Sequence, residues 1–468
     1  MSATSPAPIL LHAALPIPAP GGYAPRMKFQ SPRPVPRHLL PALALAALTL
    51  LAPRATAAQW PSWRGPNGDG TSPEKTLPLK WSPTQNVKWK TPLPEPGDSS
   101  PIVWDDKIFI TQSFEAEGGR TVLCFDRATG KQLWKQGTTW KKPEKRYGKN
   151  PYCAASPVTD GTRVIAFFGS AGLFCWDMNG RELWRRDLGQ HEHEWAYAAS
   201  PLIHGDLCIL YFGPGLKARL VGLDKNSGKT LWESAEPAIV PRRRTDGFQG
   251  QEKGGMVGSF TTPIIVRAGD RDELIHTYPQ QTRALDPLTG KPLWNCDGLN
   301  ELVYASPIHG RGVLVGMGGY LGTSIAVKTG GTGDVTASHR LWQSVRTKNR
   351  LGSGVVFGDH VYVLNSDGIA ECLELTTGKS LWQERVKGSG PQGDSWSSMI
   401  LAGDHILVLN KSGDTLVLKA SPTFQLVGVN SLGNETCNAS HALSNGDLFI
   451  RTHKNLWCIR DAQKAAAP

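Results

Sequence analysis

Two histidines separated by one residue, His191 and His193, have the spacing in this chain that most resembles a metal-binding pair. In an extended segment, side chains two residues apart point to the same side, so both imidazoles could coordinate one ion. Glu192 and Glu194 would then face the other side. Two ligands alone do not make a metal site. The favoured interpretation is therefore a solvated loop, and a metal-assisted hydrolase is the alternative.

Other irregular segments carry basic and aromatic residues that could bind a ligand or a partner. These candidates are Arg146, Tyr147, Trp195, Arg242, Arg243, Arg244 and Trp396. Clustered Lys and Arg side chains can hold an anionic ligand, such as an acidic glycan or the acidic patch of a partner protein. A solvated charged surface is the favoured interpretation of the same residues.

Several kinds of chemistry lack the residues they would need. The chain has no Cys-x-x-Cys and no His-Glu-x-x-His motif, and no glycine-rich phosphate loop lies between a strand and a helix. The formal charge is +11, and residues 1–58 contribute five basic residues and no acid, which leaves +6 for the rest. A modest, scattered charge argues against nucleic-acid binding. The catalytic residues therefore remain unidentified, and no metal site is predicted.

The elements that position these segments are indicated by a recurring pattern, Asp-x-x-x-Gly-Lys-x-x-Trp. Three copies are complete, and two looser copies replace the lysine by arginine or the aspartate by glutamate. The residues concerned are Asp126, Gly130, Trp134; Asp177, Gly180, Trp184; Asp224, Gly228, Trp232; Asp286, Gly290, Trp294; and Gly378, Trp382. Recurrence every 40 to 50 residues is typical of a repeat fold, in which each copy is one unit of a ring or stack.

Each unit predicts four short antiparallel strands, which is one blade of a β-propeller. Ser-Pro pairs begin the first strands, the third strand ends in the acidic residue, and the fourth carries the tryptophan. Eight first strands and eight fourth strands are present, with one insertion near 239–256. A lone fourth strand near 87–91 and three strands in 439–460 would pair to close the ring. The predicted fold is an all-β, eight-bladed propeller of four-stranded antiparallel blades, with binding loops gathered on one face.

The repeated residues are predicted to be structural. A tryptophan at a fixed blade position most often packs between adjacent blades, and the repeated aspartate should accept hydrogen bonds from turn amides. Four of the eight cysteines fall at one blade position that Gly, Ala or Val occupies elsewhere. A position of that kind is a small buried site, and equivalent sites in separate blades lie too far apart for a disulfide. Mostly free, buried thiols are expected.

The first 57 residues are predicted to be a targeting segment, with a true start at Met27. Basic residues precede the apolar run 39–51, and Ala55-Thr56-Ala57 supplies an A-x-A cleavage site. The run is short for a membrane-spanning helix. The mature protein should therefore be periplasmic or secreted, with an N-terminal coil at 58–86, the propeller at 87–461 and a tail at 462–468.

The Asp-x-x-Thr-Gly-Lys-x-x-Trp pattern resembles the pyrroloquinoline quinone (PQQ) repeat over residues 87–461. That family contains quinoprotein alcohol dehydrogenases as well as the non-enzymatic propeller BamB of the outer-membrane assembly machinery. The opening Gln59-Trp60-Pro61-Ser62-Trp63-Arg64-Gly65-Pro66-Asn67-Gly68-Asp69-Gly70 is similar to exported PQQ-like propellers of planctomycete-type bacteria.

The chain departs from the enzymes of that family at the positions that hold their cofactor. Those dehydrogenases carry two adjacent cysteines and a calcium site beside the quinone, and no two cysteines are adjacent here. The resemblance therefore implies an exported, monomeric, non-catalytic scaffold that binds a cell-envelope protein or polysaccharide, with no cofactor. A PQQ-dependent oxidoreductase with calcium at the channel mouth is the alternative.

Overall fold

The computed structural model describes residues 58–148, 150–240, 257–319, 322–345 and 350–461, and these residues form an eight-bladed β-propeller. Each blade is a four-stranded antiparallel sheet, numbered here in chain order. The strands of blades 1 to 4 are Ile102–Trp104, Lys107–Phe114, Gly119–Asp126, Gln132–Thr139; Val158–Thr159, Arg163–Phe167, Leu173–Asp177, Glu182–Arg186; Leu202–His204, Leu207–Phe212, Arg219–Asp224, Thr230–Ala235; and Ile264–Ala268, Arg271–Tyr278, Gln281–Leu285, Pro292–Asp297. Those of blades 5 to 8 are Ile308–Gly310, Val313–Met317, Thr323–Lys328, Arg340–Val345; Val355–Phe357, His360–Leu364, Ile369–Glu374, Ser380–Arg385; Ile400–Ala402, His405–Leu409, Thr415–Lys419, Leu426–Asn430; and Ala442–Ser444, Asp447–Arg451, Asn455–Arg460, Val87–Pro92. The predicted fold is confirmed.

Pairing of the two ends of the chain closes the ring in blade 8. Val87–Pro92 is the outer strand of this blade and pairs antiparallel with Asn455–Arg460, with Trp89 opposite Cys458. The middle strands of the blades are buried on both faces, whereas the outer strands are more exposed; in blade 3, Leu207–Phe212 is fully buried and Thr230–Ala235 exposes alternate residues. Burial on both faces arises because each blade packs between two neighbours.

Short elements supplement the blades. Thr71–Ser72 adds a parallel strand to blade 7, Gly333–Asp334 adds one to blade 4, and Gly258–Ser259 pairs with Leu302–Val303. The helical segments among the described residues are a single turn at Thr336–His339 and a 3-10 turn at Gly169–Ala171. Within the described ranges, no helix has the length and apolar character needed to span a membrane.

The recurring sequence pattern forms the contact between neighbouring blades. The Trp184 indole N–H donates to Lys225 O at 3.0 Å, immediately after Asp224 of the next blade. Gly228 in that blade has φ +69°, and a Cβ there would lie 2.6 Å from Trp184 Cε3. The Asp224 carboxylate accepts the backbone N–H of Ser227 at 2.7 Å, which fixes the turn. Glycine is therefore required both by the left-handed backbone and by the indole that packs against it.

The same contact recurs around the ring. Five anchor tryptophans donate to the backbone oxygen that follows the acidic position of the next blade; these are Trp89, Trp134, Trp184, Trp232 and Trp342. Blades 5 and 7 lack the acidic residue; Trp382 still donates to a backbone oxygen of blade 7, that of Ser421, whereas Trp294 is different. Its indole donates to the buried Glu273 carboxylate at 2.9 Å, which also accepts the Gly330 N–H at 3.3 Å. A carboxylate within blade 4 thus replaces the missing acceptor of blade 5.

All eight cysteines are free and buried. Cys124, Cys175, Cys372 and Cys458 each lie directly opposite an anchor tryptophan across a pair of strands, as Gly222, Ala284 and Ala326 do in other blades. The indole fills the space above this position, so only a small side chain fits. The expectation of free thiols at a packing position is confirmed.

A belt of hydrogen bonds links the starts of the first strands. In the belt, a serine or threonine hydroxyl of one blade accepts a backbone N–H from the preceding blade at 2.8–2.9 Å. The accepting residues are Ser156, Ser200, Thr262, Ser306, Ser398, Ser440 and Ser100. These hydroxyls therefore serve the scaffold. Blade 6 has Ser353 at this position, which donates its backbone N–H to Ser398, but its buried hydroxyl has no hydrogen-bond partner in the described residues.

The segment 58–86 has only the short strand Thr71–Ser72 as regular structure, yet it is firmly docked across one end of the channel. Trp60 is fully buried and exchanges two backbone hydrogen bonds with Val103 of blade 1. Arg64, also buried, donates to Asp69 O and, at 2.6 Å, to Gly354 O of blade 6. Ala58 and Glu74 bond the turn at Asn445 in blade 8. The segment therefore covers the end of the channel where the first and second strands join.

Candidate functional site

The opposite end of the channel is lined by the longer loops that run from the fourth strand of one blade to the first strand of the next. We call this end the mouth. The loops that contribute to it in the described residues lie at 140–155, 187–199, 257–261, 298–305 and 386–397. Because every blade runs in the same sense, these loops meet around one opening although they are far apart in sequence.

Five aromatic side chains from five of these loops form a continuous group, which we call the mouth cluster. They are Tyr147, Trp195, Phe260, Tyr304 and Trp396. The Tyr147 ring lies 5.8 Å from Trp195 and 6.4 Å from Trp396, between ring centroids. Trp195 in turn lies 6.1 Å from both Phe260 and Tyr304. Tyr147 thus joins the loop after blade 6 to the loop after blade 2 across the opening.

Exposure differs among the rings of the mouth cluster. Tyr147 is 53% exposed, and the other four rings are partly buried. The polar tips of Tyr147, Trp195 and Trp396 make no hydrogen bond to the portion of the chain that the structure describes. These groups can therefore donate hydrogen bonds to a bound molecule without first breaking a bond within the protein.

The two histidines of the 187–199 loop occupy different surroundings. His191 is only 7% exposed, and its ring packs edge-on against Tyr197 and Phe212. His193 packs edge-on against Phe260 at 5.3 Å, beside the mouth cluster. Burial lowers the pKa of each imidazole to about 4, so both are neutral at pH 7. The interpretation of this loop as solvated is wrong for His191, because its ring belongs to the core of blades 2 and 3.

Beside His191 lies a small pocket of about 40 Å³, lined also by Phe212 and Pro214. This volume accommodates about one water molecule. It is too small for a substrate, and the mouth cluster is the larger candidate surface.

The basic residues nearest the mouth cluster are paired with carboxylates. Arg146 forms a two-pronged ion pair with Glu115, with one N–O distance of 3.0 Å, and the pKa of Glu115 is lowered by this hydrogen bond. Lys411 lies 2.5 Å from Asp394 and 4.2 Å above the Trp396 ring. The charges of Arg146 and Lys411 are thus balanced by carboxylates beside the rings. Arg242, Arg243 and Arg244 lie outside the described residues.

One carboxyl group close to the mouth has a strongly shifted pKa. Glu236, directly after the outer strand of blade 3, accepts a hydrogen bond from the Tyr211 hydroxyl, and burial raises the pKa of Glu236 to about 7. The neighbouring imidazole of His276 lies 4.2 Å from the Tyr211 ring. Through Tyr211, Glu236 contacts the apolar core between blades 3 and 4, and it lies three residues before the insertion at 239–256.

The described residues of the mouth offer no group of carboxylates that could hold calcium beside PQQ. Among the described residues, no group of three or more His, Cys, Asp or Glu side chains is placed to hold a metal ion. Every cysteine is buried and unbonded, and no two are adjacent in sequence. Neither the paired cysteines nor the calcium ligands of the quinoprotein dehydrogenases therefore have a counterpart in this part of the chain.

Sequence reasoning found three of the five rings of the mouth cluster and missed Phe260 and Tyr304. Both lie immediately before a first strand, at Phe260-Thr261-Thr262-Pro263 and Tyr304-Ala305-Ser306-Pro307. Trp396 stands in a similar place before Ser397-Ser398. An aromatic residue two positions before the belt residue is the signal that identifies all three.

Solved structures share this architecture at low sequence identity. BamB from Moraxella catarrhalis is 17% identical, with a TM-score of 0.55 over 80% of this chain and 97% of its own. The quinohemoprotein alcohol dehydrogenase ADHIIG from Pseudomonas putida HK5 is 11% identical, with a TM-score of 0.56 over 86% and 80%. The computationally designed protein Ika8 is 12% identical, with a TM-score of 0.50 over 84% and 99%. At these identities the likeness establishes the fold alone.

A family model supplies the evolutionary assignment. No curated protein sequence matches the chain significantly. The model described as outer membrane protein assembly factor BamB matches residues 79–209, 118–383 and 216–467, which together span the propeller. The matched residues include the anchor tryptophans and the strands that close the eight-bladed ring. The chain belongs to the BamB-like family of PQQ-repeat propellers.

Proposed function

We propose that this protein is a non-catalytic binding module of the cell envelope, which captures a protein or glycan component at the mouth of its propeller. The observation that carries the proposal is the convergence of five aromatic side chains at one end of a channel whose other end is covered. A rigid ring that gathers irregular loops on one face is a common arrangement for binding.

The charged residues and the serines near the mouth support binding over catalysis. Arg120 lies 3.7 Å from Glu144 and Arg350 lies 2.9 Å from Glu371, so these buried charges near the mouth form ion pairs of the scaffold. The belt serines use their hydroxyls to hold the ring together. No described residue of the mouth combines a nucleophile with a positioned base.

Location in the periplasm or outside the cell is part of the proposal. It rests on the basic and apolar pattern of residues 1–57 and on the family assignment. The protein is proposed to act as a monomer, because the ring closes within one chain and pairs its own terminal strands. BamB, an outer membrane protein assembly factor, is the family precedent for a binding role.

The test compares retention of envelope components by three immobilised forms of the purified protein. The mouth variant carries Tyr147→Ala and Trp396→Ala, and the control carries Arg311→Ala in the exposed Arg311–Asp359 ion pair at a turn on the opposite face. A component retained by the wild type and by the Arg311 variant, and lost by the mouth variant, is expected. It is then purified and titrated against the same three forms. Equal retention by all three would place binding elsewhere.

The enzymatic alternative has its own test. Purified protein is titrated with PQQ in the presence of calcium and followed by absorbance. We expect no saturable change in absorbance, because the described residues of the mouth offer no group of carboxylates for calcium beside PQQ. Stoichiometric binding would replace the proposed function with that of a quinoprotein oxidoreductase.

A further inference from the structure

We propose that the mouth cluster is a saccharide site, which binds an uncharged glycan through stacking of sugar rings on Tyr147, Trp195 and Trp396. This inference rests on the proposed binding function and names the ligand class.

The mouth cluster presents flat apolar faces next to free hydrogen-bond donors. A pyranose ring has a complementary surface, with C–H groups on its faces and hydroxyls around its edge. Tyr147 is more than half exposed, and its ring centroid lies within 6.4 Å of both tryptophans. Stacking on these rings leaves the sugar hydroxyls directed at the loop backbone and at the tyrosine and indole tips.

Two ion pairs that flank the mouth cluster favour a neutral ligand. Arg146 is held by Glu115 on one side of Tyr147, and Lys411 is held by Asp394 beside Trp396. An acidic glycan would have to break these pairs or remain unpaired near their carboxylates, which costs free energy. An uncharged saccharide requires neither change.

The size of the surface favours a few sugar units over a folded protein. An aromatic side chain offers about 150–250 Å² when fully exposed, and four of the five rings are partly buried. The rings therefore present on the order of 300 Å² together. A stable protein interface covers about 800 Å² on each partner, so the mouth cluster suffices for two or three sugar units and falls short of such an interface.

The experiment titrates the full protein with neutral hexasaccharides of glucose, mannose and xylose by calorimetry, alongside hexagalacturonate as an acidic probe. Saturable binding of at least one neutral sugar is expected, with little dependence on salt. Tyr147→Ala and Trp396→Ala should each weaken that binding at least tenfold, and Trp396→Phe should weaken it less. Trp104→Ala, which removes a partly exposed tryptophan at the turn between the first and second strands of blade 1, on the face opposite the mouth, is the matched control and should leave affinity unchanged.

The outcomes separate this inference from the proposed function. If Trp396→Ala fails to fold, Tyr147→Ala decides, because its exposed ring contributes least to packing. Tighter binding of hexagalacturonate than of any neutral sugar would overturn the charge argument. Absence of sugar binding, with an envelope protein retained through the mouth, would overturn the saccharide site and leave the binding module intact. Absence of both would overturn the two together.

Discussion

Replacement of Gly228 by alanine perturbs the contact that joins blade 2 to blade 3. Gly228 has φ +69°, and a Cβ at this position would lie 2.6 Å from Cε3 and 2.7 Å from Cδ2 of Trp184. Carbon atoms cannot approach so closely, so the indole or the turn must move. Trp184 is 8% exposed and donates to Lys225 O at 3.0 Å. Displacement of the indole therefore threatens both its packing and its hydrogen bond.

The magnitude follows from comparison with Gly205 in the same blade. Gly205 has φ +55° and nothing within 4 Å of its Cβ position, so alanine there costs only the left-handed backbone, about 1–2 kcal/mol. Gly228→Ala adds overpacking of about 1–3 kcal/mol to the same backbone cost. We therefore expect the free energy of unfolding to fall by about 2–5 kcal/mol for Gly228→Ala and by about 1–2 kcal/mol for Gly205→Ala.

Equilibrium unfolding in guanidinium chloride, followed by near-ultraviolet circular dichroism, measures both variants. A double-mutant cycle with Trp184→Leu adds a second criterion. Once the indole is removed, alanine at position 228 no longer meets it, so the double variant should lose less stability than the sum of the single variants. Equal losses for the two glycine variants, together with additive behaviour in the cycle, would refute the packing explanation.

Buried carboxyl, imidazole and thiol groups give three other tests. Glu273→Ala removes the acceptor of the Trp294 indole, so the free energy of unfolding should fall by about 2–4 kcal/mol; an unchanged denaturation midpoint would contradict this role. Burial lowers the pKa of His276 and of His441 to about 3 from 6.5, so the unfolded chain binds more protons between these values and stability should fall as the pH drops below 6.5. The thermal midpoint of His276→Gln should fall less than that of the wild type between pH 7.5 and 5, and parallel profiles would exclude this imidazole as a cause. A thiol reagent should label no cysteine in the native protein and all eight in the denatured, unreduced protein, and a lower denatured count would reveal disulfides.

Local patterns predicted the architecture because each blade repeats the same short-range signals. The turn at Asp224 and Gly228 is encoded within five residues, and the anchor tryptophan follows four residues later. Blade 5 shows the limit of this reasoning. Its acidic motif is missing, and the acceptor for Trp294 comes from Glu273, a residue that no repeat pattern singles out.

The candidate site was predicted only in part, because contacts at the mouth depend on closure of the ring. The sequence marked Tyr147 and Trp396 as separate loop residues, and nothing local indicates that rings about 250 positions apart lie 6.4 Å from each other. The loop with His191 was interpreted as solvated, but burial of a single side chain depends on the neighbouring blade. Pairing of Arg146 with Glu115 likewise depends on the side-chain directions of two loops.

The sequence by itself determined the number of blades, the order of their strands, the packing role of the tryptophans and the closure between the first and last strands. These properties follow from short sequence motifs that recur in each blade and specify the same turns, strands and contacts every time. Only the tertiary structure decided that segment 58–86 covers one end of the channel, that five aromatic rings meet at the other, and that the charges beside them are paired. Those features join residues from different blades, and their distances are set by the geometry of the closed ring.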